Sequence, residues 1–155
     1  MTQDGDFDLD RFLPYLLNQA AEAASLGFQA TYREGYGMTR TQWRVMANLG
    51  KFGAMTARDI CARAHIEKTK VSRAVAALQR AGFLARSPSE TDGRAEVLSL
   101  TGPGRAVFAD LGQKARDYDA GLRASLGAAR AGELDGLLRR VLALQAERPI
   151  TNSTA

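Results

Sequence analysis

The chain has 155 residues, a net charge of +4 (21 Lys and Arg against 17 Asp and Glu), one Cys and one His. That length suits one domain, able to bury roughly two-thirds of its unfolded surface without disulfides or metals. The lone Cys61 excludes an intrachain disulfide framework, and one His with one Cys cannot complete a four-ligand zinc site. No apolar run approaches the ~18 residues of a spanning helix. The acidic start, Met1 to Asp8, lacks the basic region of a signal peptide. The expectation is a soluble cytoplasmic protein with no membrane partner, no metal and no cofactor.

The charge is unevenly placed. Residues 1–50 carry four basic and six acidic side chains, residues 51–105 ten and five, and residues 106–155 seven and six. The middle third therefore holds a balance of +5. Basic clustering suits a polyanion partner, the plain alternative being a solvated face of mixed charge.

The first periodic stripe is Leu9, Phe12, Leu13, Leu16, Leu17, Ala20 and Ala24, an amphipathic helix expected to reach about Tyr32 before Gly35 and Gly37. Thr39-Arg-Thr-Gln42 is a capping box that opens a helix carrying Trp43, Met46 and Leu49, ending near Gly50–Gly53. Thr56-Ala-Arg-Asp59 opens a short helix to about His65. A further helix follows Ile66, with Val71, Ala74, Val75 and Leu78 inward and Gly82 just past its end. Two strand-like runs, Phe83–Ser87 and Glu96–Leu100, flank a polar tip at Pro88–Gly93. Two more helices start near Pro103, with Phe108, Leu111, Ala115, Tyr118, Leu122 and Leu126 on a stripe, and near Glu133, with a broad Leu-rich face.

Three helices followed by a hairpin form a winged helix-turn-helix, whose third helix is free to enter a major groove. With its apolar stripe committed inward, that helix presents Lys68, Thr69, Lys70, Ser72, Arg73, Ala76 and Arg80 outward. Lys and Arg meet phosphates or guanine edges, Thr and Ser donate to phosphate or touch a thymine methyl, and a small Ala permits close approach. Only Glu67 lies nearby as an acid. The hairpin adds Arg86, Asp92 and Arg94; Asp92-Gly93 suits a tight turn, and Asp92 is spaced to orient Arg94 toward a narrow minor groove.

On these residues the chain resembles the MarR-type transcriptional regulators. The carrying segments are Thr56-Ala-Arg-Asp-Ile-Cys-Ala-Arg-Ala64, Lys68-Thr-Lys-Val-Ser-Arg-Ala-Val-Ala-Ala-Leu78, Gly82-Phe-Leu-Ala-Arg86, Asp92-Gly-Arg94, and Leu98-Ser-Leu-Thr101 ahead of Gly104, with Trp43-Arg-Val-Met46 in the preceding helix. The resemblance covers about residues 10–145. It departs at His65, where the turn often has Gly, and at Glu67, where Ser or Asp usually caps the recognition helix.

The resemblance implies a mainly α fold with a small β-hairpin wing. The winged helix-turn-helix would occupy 39–101, with dimerisation helices at 8–35 and 102–147 and flexible tails at 1–7 and 149–155. It implies a homodimer on double-stranded DNA, with Thr69, Lys70, Ser72 and Arg73 in the major groove and Arg94, held by Asp92, in the minor groove. A repressor on a pseudo-palindromic operator follows, its half-sites about one helical turn apart. A small aromatic or phenolic effector would sit against the first two helices, at Phe28, Tyr32, Tyr36, Met38, Trp43 and Met46, though an aromatic stripe also serves as plain core. Cys61 and His65, four residues apart, could form a redox or metal pair, but Ile60 and Ala64 beside them point to core. No pattern of catalytic residues accompanies the single His, so an enzyme is not expected. A sequence-indifferent architectural DNA binder and a protein–protein adaptor on the same fold remain the alternatives.

Overall fold

The computed structural model describes residues 7–147; the expected tails, 1–7 and 149–155, lie outside that range except for Phe7. The described residues fall into two compact units divided inside a long helix, one running through Lys114 and the other from Ala115.

In the first unit a 3-10 turn at Leu9–Arg11 precedes α1, Leu13–Tyr36. The stripe that starts at Leu9 is therefore only partly α-helical. Pro14 sits in the first turn of α1, where a missing N–H costs nothing, and Phe12 takes an extended N-cap conformation. Gly35 stays within the helix, and Gly37 ends it in the left-handed region at φ 64°. The capping box expected at Thr39 and Gln42 is formed and opens α2, Arg40–Phe52. A second box, Thr56 with Asp59, opens α3, Ala57–Ala64.

Helix α4 spans Lys68–Arg80 and ends in a Schellman motif: Phe83 N–H donates to Leu78 O and Gly82 N–H to Gln79 O, both at 3.0 Å, with Gly82 at φ 80°. Val71, Ala74, Val75 and Leu78 are all buried on its inner face. They pack against Val45, Met46 and Leu49 of α2 and Ile60 and Ala64 of α3, all likewise buried. Each large side chain so buried contributes about 1.5–3 kcal/mol, enough for this trio to fix the pose of α4.

The wing strands are β2, Leu84–Pro88, and β3, Glu96–Leu100, paired antiparallel from Leu84 with Leu100 to Pro88 with Glu96. A further two-residue strand, β1 at Met55–Thr56, pairs with the other edge of β3, giving the order β1-β3-β2. Two residues carry no readable alternation, so the sequence offered only a hairpin. At the tip the turn is Asp92–Ala95, closed by Ala95 N–H on Asp92 O at 3.0 Å. Asp92 and Gly93 thus occupy the first two places of the turn rather than its central pair, and Gly93 is not left-handed.

Helix α5 runs Gly102–Leu126 and crosses the division between units. In the second unit its last turns meet Gly127 at φ 87°, and α6 spans Ala128–Glu147. The start of α6 lies five residues ahead of the expected Glu133. Ala128, Ala129 and Ala131 are strong helix formers, so the helix begins at the glycine rather than where the Leu stripe begins. Arg123 holds the two helices by a bidentate pair with Asp135 at 2.9 and 3.1 Å and also reaches Asp119 at 2.8 Å. Leu137 and Leu142 of α6 remain 66 % exposed. No described helix is long and apolar enough to cross a membrane.

Candidate nucleic-acid interface

The turn that sets α4 against α3 begins with a well-capped helix. The Asp59 carboxylate accepts from Thr56 N–H at 3.0 Å and from its hydroxyl at 2.8 Å, bonds that hold the Asp59 pKa below the usual carboxylate value. The chain leaves α3 through His65 at φ 52° and ψ 50°, the one non-glycine with positive φ among the described residues. His tolerates this region better than most side chains, which is how it replaces the glycine common at such turns. Ile66 then buries itself as the anchor of the turn. Glu67 has N-cap geometry, φ −61° and ψ 145°, yet its side chain makes no cap bond.

Beyond this turn the outer face of α4 is fully presented. Lys68, Thr69, Lys70, Ser72, Arg73 and Arg80 are all exposed, and Ala76 is half-buried among them. Their alternation with the buried stripe follows from the 3.6-residue period alone. The face is cationic and hydroxylic, the composition that base edges and phosphates require.

The wing treats its candidates differently. Arg86 on β2 donates from Nε to Gln79 Oε1 at 2.8 Å and from Nη1 to Glu96 at 3.0 Å. It therefore braces the wing against the last turn of α4 and against β3. Asp92 accepts from the main-chain N–H of Arg94 at 3.1 Å. The bond shapes the backbone that carries Arg94 rather than pairing with its guanidinium, and both side chains are exposed at the tip. Ser89 supports the same tip, its Oγ accepting from Thr91 and Asp92 N–H at 3.3 Å.

The junction behind the wing carries residues to which the sequence pattern assigns no role. Thr101 Oγ1 donates to Gly82 O at 2.6 Å and accepts from Gly104 N–H at 3.1 Å, while Thr101 N–H donates to Phe83 O at 3.1 Å. One threonine thus ties the end of α4, the root of β2 and the first turn of α5 together.

The aromatic set lies between α1 and α2. Phe28, Tyr32, Met38 and Met46 are buried, with Trp43 and Tyr36 half-buried. The Phe28 ring meets Tyr32 edge-on at 5.8 Å and Trp43 at 5.6 Å, and Tyr32 stacks on Trp43 at 6.3 Å. These rings pack on one another as core. The Tyr36 hydroxyl donates to Asp110 of α5 at 2.6 Å, and this bond with partial burial raises its pKa. Cys61 is half-buried with a free thiol, and no cluster of three His, Cys, Asp or Glu among the described residues is arranged to hold a metal.

Two arginines of α2 also belong to this face of the molecule. Arg40 is held by Glu22 and by Ser25 Oγ, 2.5 and 3.0 Å away. Arg44 donates to the main-chain oxygen of Ala64, the last residue of α3. With Thr41, His65, Ile66, Glu67 and Lys70 they line a cleft of about 290 Å³ beside the first turn of α4. The charge balance of residues 1–50, which is negative, hid them in the sequence.

Comparison with known proteins agrees with this geometry. Residues 36–95 match the model of the MarR family. The regulator FarR of Neisseria gonorrhoeae is 28% identical over 105 residues, covering 67% of this chain and 71% of that protein. The homoprotocatechuate degradative operon repressor of Escherichia coli is 26% identical over 132 residues, 85% of this chain and 88% of the repressor. A MarR family transcriptional regulator from Silicibacter pomeroyi is 29% identical, with a TM-score of 0.76 over 90% of this chain and 98% of its own. With its helix-turn-helix and wing matching in both sequence and structure, the chain is similar to the MarR family of transcriptional regulators.

Proposed function

We propose that the chain is a homodimeric, sequence-specific DNA-binding regulator acting as a repressor on a pseudo-palindromic operator. The observation that carries this reading is the outer face of α4: four cationic and two hydroxylic side chains, all exposed, on a helix whose opposite face is locked into the core. Thr69, Lys70, Ser72 and Arg73 would read the major groove, with Lys68 and Arg80 on flanking phosphates. Arg94 would enter the minor groove from a tip shaped by Asp92. Arg86, already engaged by Gln79 and Glu96, would act by fixing where the wing stands.

Dimerisation is supported by apolar surface that has no cover in one chain. Leu13 of α1 is 57% exposed, and α6 carries Leu137 and Leu142 at 66%. Exposed leucines in such number on helices suit an interface with a second copy. Two-fold symmetry of the protein then demands two-fold symmetry of the site, with half-sites one helical turn apart. The repressor assignment follows the name of the Escherichia coli relative. A small aromatic effector belongs to the same proposal, and would act by shifting the population toward spacings of the two α4 helices that no longer fit successive grooves.

The test is substitution on duplexes selected by the protein from random DNA. Arg73→Ala should lose the preference for the selected duplex over a scrambled one. Arg94→Ala should weaken binding with a smaller salt slope. Equal losses on every sequence would instead indicate an architectural binder.

A further inference from the structure

We propose that the cleft formed by Arg40, Thr41 and Arg44 of α2 with His65 and Lys70 is a second DNA contact, a seat for one backbone phosphate beside the major groove entered by α4. The proposal rests on the reading of α4 as the recognition helix and extends the interface to a helix outside the basic segment.

Three observations carry it. The cleft is walled on one side by Lys70, in the first turn of α4, and on the other by α2. A helix lying in a groove about 12 Å wide has a phosphate row on either flank, so whatever lines the side of its first turn faces the backbone.

The two guanidiniums are also preorganised. Arg40 is fixed by Glu22 and Ser25 and Arg44 by the carbonyl of Ala64, and neither arrangement uses all five N–H donors of the group. A guanidinium already held in place loses little freedom on meeting a phosphate, and its fork matches two phosphate oxygens.

Finally, the cleft holds an excess of positive charge. Glu22 answers Arg40, whereas among the described residues Arg44 has a carbonyl and no carboxylate for a partner. Burial lowers the Arg44 pKa most, and repulsion by the neighbouring charge of Arg40 adds to it. Glu67 is the single acid on the lining, against the three cations Arg40, Arg44 and Lys70. An anion between α2 and α4 relieves that repulsion.

The experiment measures binding to a selected duplex and to a scrambled duplex of the same length across a range of salt. Arg40→Gln and Arg44→Gln should each reduce the salt slope by about one and weaken both duplexes by the same factor. Because both arginines also make bonds within the protein, Thr41→Asp is the cleaner variant. An acid in the first turn of α2 favours the helix, yet puts a negative charge where the phosphate would sit. It should leave the thermal midpoint unchanged or raised while weakening both duplexes about tenfold. Unchanged slopes and affinities in all three variants, with Arg73→Ala still losing sequence preference, would overturn the phosphate seat and leave the DNA reading standing. Wild-type protein that shows no salt-dependent binding would overturn both. If millimolar benzoate displaces DNA from the wild type but not from Thr41→Asp, the cleft serves a free carboxylate and the phosphate assignment falls.

Discussion

The Cα of Gly104, in the first turn of α5, faces the main-chain carbonyl of Phe83 so closely that a Cβ there would stand 2.0 Å from its oxygen. Phe83 follows the C-terminal glycine of α4 and leads into β2, so this approach sets α5 against the root of the wing. An Ala in a helix ordinarily gains up to about 1 kcal/mol over Gly. Here the sign should reverse, because a carbonyl fixed by Thr101 N–H cannot retreat as a side chain would. Gly104→Ala is expected to lose about 1–3 kcal/mol, the usual cost of overpacking. Chemical denaturation of Gly104→Ala against Gly93→Ala, where nothing lies within 4 Å, checks it.

Helix α4 lacks a side-chain cap. Glu67 has the backbone conformation of an N-cap and no side-chain bond to the first turn. Glu67→Ser should supply that bond and stabilise the chain by about 0.5–2 kcal/mol. A rise in denaturation midpoint measures it; a fall would show that Glu67 serves the fold in another way.

Asp110 gives the acid limb of stability a specific source. Hydrogen bonds from Lys114 at 2.8 Å and Tyr36 at 2.6 Å hold its pKa below the ordinary 3.8. A depressed folded pKa contributes stability above the unfolded value, which is lost as pH falls through the folded one. Stability should therefore drop below pH of about 4, and the thermal midpoint of Asp110→Asn should fall less steeply there than that of the wild type.

Trp43 is the one tryptophan in the chain and stacks on Tyr32 within the aromatic set. An aromatic acid that enters these residues must part those rings. Its titration should change Trp43 emission at the same concentrations that release DNA. Release of DNA with no change in emission would place the effector elsewhere.

How far the sequence could be read depends on the signal each feature leaves. The Thr39–Gln42 capping box, the helix start at Thr56 and the inner stripe of α4 are local, short-range patterns, and all three survive folding intact. β1 was invisible because two residues have no period, and their strand exists only through pairing with Leu98 and Val97 of β3. Apolar periodicity points to the wrong start for α6, because alanine propensity and Gly127 decide it. Within the site, exposure of α4's outer residues follows from burial of the others. The Arg86 brace, the Thr101 knot and the Arg40–Arg44 cleft each join residues of different elements, and spacing carries no trace of them.

The most direct test of the whole account is the salt dependence and sequence preference of wild-type binding, measured on a duplex selected from random DNA and on its scrambled counterpart. The account predicts a linear fall of log affinity with log salt on both, and affinity for the selected duplex at least about a thousandfold above the scrambled one. Binding without that preference, or no salt-dependent binding at all, would contradict it.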